Sequence, residues 1–250
     1  MPALLDRGLF FFFRLHDGLS VWLARNFFSV KKALLLIAHL SLFGFFFPDW
    51  RTSFGEAGGN LLIFILFLSP LSKIFRLRLL QQLMGLRREL GIMFGYLVTV
   101  HGVGYMLDPN YALVLGNFLP FDIFSLETPF LLGVLAYTLT LPLLFTSNNL
   151  ANRLLGGRNW KRLHRIVYVM ALLVIAHRFM MRGQTNLDLI QSTLLIVGYC
   201  LAQLLAWRNF LPPLVRVINW VASRYQAYRK SLLSAPAITH PSSTLPPAVS

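Results

Sequence analysis

Six long apolar stretches constrain this chain more than any other feature of its sequence. They cover residues 32–48, 59–75, 89–107, 127–147, 163–181 and 190–211. A helix needs roughly 20 mostly apolar residues to cross the hydrocarbon core of a bilayer, and a shorter stretch is accommodated by local thinning of the membrane. Only 13% of the 250 residues are charged, whereas a soluble domain carries about 25%. The pattern therefore predicts an all-α integral membrane protein, a bundle of six transmembrane helices.

The basic residues predict how this bundle is oriented. All but three of the 23 lysines and arginines fall in the N-terminal arm, the loops after the second and fourth spans, or the segment after the sixth. The three on the opposite side are Arg51, Arg178 and Arg182. Because lysine and arginine favour the cytoplasmic side, both termini are predicted to be cytoplasmic. The net charge of +14 is therefore expected to bind the protein to anionic lipid of the bilayer, and nucleic acid is not an expected partner.

The same pattern divides the chain into three segments. Residues 1–31 form a cytoplasmic or interfacial arm, because Arg14 and His16 interrupt its apolar patch after five residues. Residues 32–211 form the six-span domain. Residues 212–250 form a cytoplasmic segment that is predicted to be disordered from about residue 231, where serine, proline and alanine dominate. The outer loop over 107–127 is a candidate for docking a periplasmic protein or for covering a cofactor.

Four of the six histidines lie in or at the edge of predicted spans, and they are the candidate functional residues. They are His39, His101, His164 and His177. An ionisable side chain inside the hydrocarbon is costly, so it is by default a functional hypothesis. The single cysteine excludes Cys-ligated zinc and a CxxC pair. Neutral imidazole in an apolar bundle therefore points to a ligand of haem iron, since the apolar macrocycle fits between helices.

Depth in the membrane predicts which of these histidines pair. The third and fifth spans run in the same direction; His101 follows Arg88 by 13 residues and His177 follows His164 by 13. Thirteen residues of an α-helix rise about 20 Å along the helix axis. His101 and His177 therefore share a level near the outer leaflet, which predicts a bis-histidine haem between them. The spacing leaves open whether the two rings face each other, because two side chains 13 residues apart on a straight helix point about 140° away from a common face.

Two segments resemble the ferric reductase-like transmembrane family. Leu86-Arg87-Arg88-Glu89-Leu90-Gly91, followed by Tyr96 and His101, is similar to the third span of that family. Trp160-Lys161-Arg162-Leu163-His164, continuing to Tyr168 and His177, is similar to the fifth, and Leu144-Phe145-Thr146-Ser147-Asn148 also matches. Within the family, the MsrQ/YedZ group of small haem b membrane subunits is the most similar. The resemblance covers roughly residues 59–182.

The resemblance implies a transmembrane electron-transfer subunit of an oxidoreductase system in the bacterial inner membrane. Its cofactor is haem b, with His101 and His177 as ligands of the iron. Larger relatives hold two haems, but Arg88 stands where this chain would carry a fourth histidine; the haem count therefore stays open at one or two, with His164 as a candidate ligand. The acceptor would be a periplasmic redox partner, such as a methionine sulfoxide reductase.

The electron donor implied by the resemblance lies on the cytoplasmic side. A cytoplasmic arginine pair is associated with flavin in this group, and it carries over to Arg87 and Arg88. Paired guanidinium groups bind phosphate well, so FMN is a candidate cofactor, with quinone as the alternative. No GxGxxG follows a strand in this chain. A cytoplasmic flavin reductase or a membrane quinol is therefore the expected donor.

Two functions from other classes stay open. One is a haem-free membrane scaffold or anchor subunit of a larger complex. The other is a transporter, which the absence of acidic residues inside the spans and of paired broken helices disfavours. Among the other histidines, His39 is predicted to hydrogen-bond a neighbouring helix, and His16 and His240 are predicted to be exposed. No residue is predicted to be catalytic by itself.

Overall fold

The computed structural model describes residues 2–108, 128–182 and 185–207, together with several positions between 220 and 230. Within those residues every regular element is helical, which confirms the predicted all-α class. The α-helices are α1 (Pro2–Arg25), α2 (Phe27–Ser41), α3 (Trp50–Phe75), α4 (Arg78–Met84), α5 (Arg87–Met106), α6 (Thr128–Phe145), α7 (Asn149–Leu163), α8 (Val167–Met181) and α9 (Asn186–Ala206). Two 3₁₀ turns, Leu42–Phe46 and His164–Ile166, continue α2 and precede α8.

Each of the six predicted spans coincides with a helix, and the largest difference is at α3. This helix begins at Trp50, nine residues before the predicted start at 59. Arg51 and Glu56 kept the first turns from looking apolar, but both side chains form ion pairs, with Asp108 and Arg182 respectively. The last predicted span extends to residue 211, whereas α9 ends at Ala206 and residues 208–211 lie outside the described part. The expected disordered tail and most of the outer loop also lie outside it.

The surface of the bundle is apolar, as expected of a chain surrounded by lipid. Four helical segments are long and apolar enough to cross a membrane: Phe27–Phe46, Trp50–Phe75, Asn149–Met181 and Asn186–Ala206. Pro129–Phe145 is a shorter apolar helix. Large apolar side chains point outward; Phe46 is 77% exposed and Leu194 is 66% exposed. Water would oppose such exposure, because each of these side chains contributes about 1.5–3 kcal/mol on burial. The chain is a multi-pass membrane protein.

The N-terminal arm is helical and folds against α4. The Nε2 atom of His16 accepts a hydrogen bond from the Leu79 amide at 3.3 Å, and Gln82 donates to the Ser20 carbonyl at 3.0 Å. His16 is only 4% exposed, so the prediction that it is exposed was wrong. The physical reason is that α4, a short helix inside the basic 2–3 loop, covers the polar face of α1. His240 lies outside the described residues.

Two antiparallel helix pairs form the centre of the molecule. α3 packs most extensively on α5, and α6 packs most extensively on α8, while α5 and α6 join the pairs. In the first pair Arg51 meets Asp108 and Gly58 faces Val98; in the second, Thr140 meets Met170. The buried side chains that fill the space between these helices include Leu62, Ile65, Leu66, Leu90, Phe94, Leu143, Met170 and Ala171.

A buried ion pair holds together the end of the first helix pair that lies near His101. Arg51, in the first turn of α3, donates from Nη1 to Asp108 Oδ2 at 2.6 Å, just beyond the end of α5. The two side chains are only 10% and 19% exposed. A guanidinium at that depth requires a carboxylate, since an unpaired buried charge costs several kcal/mol. The pair thus holds the start of α3 against the end of α5.

Removing one partner of this pair should cost more than removing both. We expect Asp108→Leu to lower the free energy of unfolding by about 3 kcal/mol, because it leaves the Arg51 charge buried and uncompensated. Arg51→Met combined with Asp108→Leu should recover most of that loss. Thermal unfolding of the purified protein in detergent micelles measures both changes. A double variant that is less stable than the single variant would contradict this account.

Candidate functional site

The structure brings His101 and His177 together near one end of the bundle. Their ring centroids are 6.4 Å apart, and the ring planes cross at 68°. Two imidazoles on opposite sides of one metal ion place their centroids about 6 Å apart, given a metal–nitrogen bond of about 2 Å. Residue spacing left open whether these rings face each other. In the folded chain α5 and α8 turn them toward the same space.

The His101 ring is oriented by the backbone of α3. Its Nδ1 atom lies 2.9 Å from the carbonyl oxygen of Arg51. Because a carbonyl oxygen only accepts hydrogen bonds, Nδ1 must carry the proton and donate it. In the neutral ring the lone pair is then on Nε2, the atom left for a metal.

The His177 ring is oriented in the same way by the backbone of α6. Its Nδ1 atom lies 2.8 Å from the carbonyl oxygen of Pro129, so the same tautomer follows and its lone pair is also on Nε2. This carbonyl belongs to the first turn of α6, as that of Arg51 belongs to the first turn of α3. Both histidines thus present the same nitrogen, each held by a neighbouring helix.

His164 occupies a different environment, at the other end of α6 and α8. Its Nε2 atom lies 3.2 Å from Thr146 Oγ1, and the Thr146 hydroxyl donates its proton to the Pro142 carbonyl at 2.6 Å. Nε2 of His164 must therefore donate to Thr146, so its tautomer is opposite to that of His101 and His177. The His164 ring also stacks on Trp160 with centroids 3.9 Å apart, and Trp160 donates to the Thr146 carbonyl at 2.8 Å.

A charged cluster lies at the same end, around the start of α5. Glu89 is fully buried, and its Oε1 atom accepts from Arg88 at 2.9 Å and lies 3.5 Å from Lys31 Nζ. Arg88 also donates to Asn149 Oδ1 at 2.8 Å. Glu89 is the first residue of the predicted third span, so the expectation that the spans contain no acidic residue was wrong. Arg88 directly precedes Glu89 in the chain, whereas Lys31 comes close to this carboxylate only after folding, so the sequence does not show how the charge is fully paired.

The two arginines predicted to act together are therefore placed differently. Arg88 is engaged by Glu89 and Asn149. Among the residues that the structure describes, Arg87 forms neither an ion pair nor a side-chain hydrogen bond. Arg87 is thus the half-buried cation of this pair that is available to a ligand.

His39 lies apart from the pair. Its Nδ1 atom is 2.6 Å from the Leu35 carbonyl of its own helix, and its Nε2 atom is 3.4 Å from the Tyr96 hydroxyl of α5. This contact is the predicted hydrogen bond to a neighbouring helix. Its length is at the upper limit for such a bond, so its contribution is small.

Sequence reasoning missed the residues that support the two facing histidines. A Cβ atom at Gly55 would lie 2.5 Å from Nδ1 of His101, and one at Gly133 would lie 2.9 Å from Cε1 of His177. Neither glycine was singled out, because glycine is common in membrane helices. The only signal in the sequence is a spacing of four residues, since Gly55 follows Arg51 and Gly133 follows Pro129 at that distance.

Known proteins are similar to this chain over about half of its length or more. Residues 54–175 match the family described as ferric reductase like transmembrane component. Magnetosome protein MamZ of Magnetospirillum gryphiswaldense is 34% identical over 139 residues, which make up 55% of this chain and 19% of that protein. The protein-methionine-sulfoxide reductase haem-binding subunit MsrQ of Azospira oryzae is 32% identical over 195 residues, covering 72% of this chain and 78% of that protein.

A second MsrQ, from Herminiimonas arsenicoxydans, is 33% identical over 195 residues, covering 73% of this chain and 85% of its own length. The chain spans about a fifth of the length of the MamZ proteins. No solved structure matches it. The chain belongs to the ferric reductase-like transmembrane family and, within it, to the MsrQ/YedZ group. The predicted family is thereby confirmed.

The hydrogen bond between Thr146 and His164 should be measurable with a matched pair of variants. Thr146 directly follows α6, whereas Thr138 lies within α6 and, among the described residues, its hydroxyl donates to the Val134 carbonyl of its own helix at 2.9 Å. We expect Thr146→Val to lower the free energy of unfolding by about 1 kcal/mol more than Thr138→Val does, because it also removes a bond between helices. Thermal unfolding in detergent measures the difference. In a His164→Ala background this difference should vanish, and its persistence there would refute the assignment.

Proposed function

We propose that this protein is a haem-binding electron-transfer subunit of the inner membrane. The proposal rests mainly on the pair formed by His101 and His177, whose rings lie 6.4 Å apart with both Nδ1 atoms bonded to carbonyl groups. The group to which the chain belongs supports it, since the MsrQ relatives are named as haem-binding subunits. Bound haem would supply a one-electron carrier that alternates between ferric and ferrous iron.

The residues present fit such a cofactor. The imidazole nitrogens of His101 and His177 would hold the haem iron, and Gly55 and Gly133 leave room for both rings. Among the described residues no group of three or more His, Cys, Asp or Glu side chains is arranged to hold a bare metal ion. The single cysteine leaves no CxxCH attachment, so the haem would be bound without covalent links, as haem b. Two histidine ligands would favour electron transfer over oxygen chemistry.

We propose one haem at this site. His164 has its Nε2 atom bonded to Thr146, and Arg88 occupies the matching position on α5 with its charge paired to Glu89. An imidazole whose Nε2 carries a proton does not present that nitrogen to iron. His164 is therefore proposed as part of the cytoplasmic end of the molecule and not as a ligand of a second haem.

The orientation follows from the distribution of charge. Six spans with both termini in the cytoplasm would place Arg87, Arg88 and His164 at the cytoplasmic end, and His101 and His177 toward the periplasm. A donor would deliver electrons beside Arg87, whose guanidinium suits the phosphate of FMN. The donor would be a flavin reductase, with a membrane quinol as the alternative. The acceptor would be a periplasmic protein, with a methionine sulfoxide reductase as the candidate named by the MsrQ relatives.

A haem-free scaffold remains the competing function, and the optical spectrum separates the two. We expect the purified protein to show the sharp α-band of reduced haem b, and His101→Ala and His177→Ala each to abolish it by removing an axial ligand. His39→Ala is the control within the membrane, and it should keep the band. His164→Ala should keep the ratio of haem to protein unchanged. A protein without the band, or histidine variants that retain it, would exclude the proposed function.

The donor side is tested with membrane vesicles of defined orientation. Reduced FMN, whose phosphate prevents it from crossing the bilayer, should reduce the haem in inverted vesicles and not in right-side-out vesicles. Arg87→Gln should slow that reduction roughly 10-fold, the effect of losing one charge-assisted hydrogen bond. Arg153→Gln is the matched control, since Arg153 is an exposed arginine of the predicted cytoplasmic side. Equal rates for the two variants would show that Arg87 binds no flavin.

A further inference from the structure

We propose that Gly55 and Gly133 are positioning residues for the two haem ligands. Each belongs to an imidazole cradle, which we define as a helix carbonyl that accepts from histidine Nδ1 and a glycine four residues later in the same helix. The first cradle consists of the Arg51 carbonyl and Gly55, and holds His101. The second consists of the Pro129 carbonyl and Gly133, and holds His177. The inference rests on the proposed function, because the cradles serve the ring pair.

The spacing of four residues has a physical origin. In an α-helix the carbonyl of residue i accepts the N–H of residue i+4, so these two residues lie one above the other on the helix surface. The second lone pair of that oxygen is free to accept a further donor from outside the helix. A histidine that reaches it from a neighbouring helix must pass over residue i+4. A side chain at i+4 would occupy the path of the ring.

The distances agree with this requirement in both cradles. At Gly55 an added Cβ would lie 2.5 Å from Nδ1 and 2.6 Å from Cε1 of His101. At Gly133 it would lie 2.9 Å from Cε1 and 3.1 Å from Nδ1 of His177. Contacts below 3.0 Å between carbon atoms force one group to move, and here the group in the way is the ligand ring itself. Any larger residue at either position would therefore displace the imidazole.

The cradle occurs twice, in helix pairs that are arranged alike. α3 and α5 are antiparallel, as are α6 and α8, and the histidine follows the accepting carbonyl by 50 residues in the first pair and by 48 in the second. Among the glycines that the structure describes, Gly55 and Gly133 are the two whose added Cβ would have histidine atoms as its nearest neighbours. Accidental close packing would not select the two facing histidines in both pairs.

Two glycines that contact no histidine provide the controls, one in a tight contact between helices and one in an ordinary contact. An added Cβ at Gly58, on α3, would lie 2.8 Å from Cγ1 of Val98 on α5. It therefore crowds the same pair of helices as Gly55 without touching the ring. At Gly198, on α9, the nearest atom would be Cζ of Phe67 at 3.9 Å, an ordinary contact.

The test compares Gly55→Ala and Gly133→Ala with Gly58→Ala and Gly198→Ala in the full-length membrane protein. The readouts are the ratio of haem to purified protein and the electron paramagnetic resonance spectrum of the oxidised form, which reports the orientation of both imidazoles. We expect the two cradle variants to retain roughly 10-fold less haem than the controls, or to show an altered low-spin signal. Gly55→Ala should have the larger effect, since its clash is closer. Cradle variants that match Gly58→Ala in both readouts would overturn the proposal.

A second measurement covers the case in which a cradle variant fails to fold. In a His101→Ala background the ring is gone, so Gly55→Ala should cause no further loss of membrane-inserted protein or of thermal stability. A further loss in that background would show that the added methyl group clashes elsewhere, and would overturn the proposal. Failure of the proposed function has a different signature: His101→Ala and His177→Ala would then leave the spectrum unchanged, whatever the glycine variants do.

Discussion

Two hydrogen bonds, each from a histidine Nδ1 atom to a helix carbonyl, orient the two rings on which the proposed function depends. They place a proton of His101 and of His177 on Nδ1, which in a neutral ring leaves the lone pair on Nε2. They also restrict each ring to one orientation, which an apolar environment without competing water reinforces. A site made of two neutral imidazoles needs no buried counter-charge, so the free-energy cost of placing it inside a membrane is small.

Among the described residues, ion pairs near the two ends of the bundle join neighbouring helices. At the end near His101 the Arg51 side chain pairs with Asp108, just beyond α5, while its carbonyl accepts from His101 on α5. At the other end Glu89 joins α5 to α2 through Lys31, and Arg88 reaches Asn149 of α7. The paired charges avoid the cost of an isolated buried ion. The layer between them is apolar, and it separates the facing histidines from the region of Arg87.

Both helix pairs orient a histidine in the same way, although their sequences differ. Arg51 and Pro129 share no side-chain chemistry, yet the carbonyl of each orients a histidine, and a glycine follows four residues later in both helices. No repeat is visible in the amino-acid sequence, because what is repeated is a backbone acceptor and an absent side chain. The resemblance to the ferric reductase-like family was carried by the segments from Leu86 to His101 and from Trp160 to His177, and neither segment includes the carbonyl or the glycine of a cradle.

The sequence by itself determined the membrane class, the helices that match the predicted spans and the level shared by His101 and His177, because the rise per residue converts spacing into depth. It misplaced the start of α3 and the exposure of His16, since these depend on partners distant in the chain. It also overlooked Glu89, whose second cationic partner, Lys31, comes close only on folding. Only the tertiary structure decided that His101 and His177 face each other and which tautomer each adopts. Facing depends on the rotation of every helix about its axis, and that rotation is set by packing against neighbours, among them the two glycines.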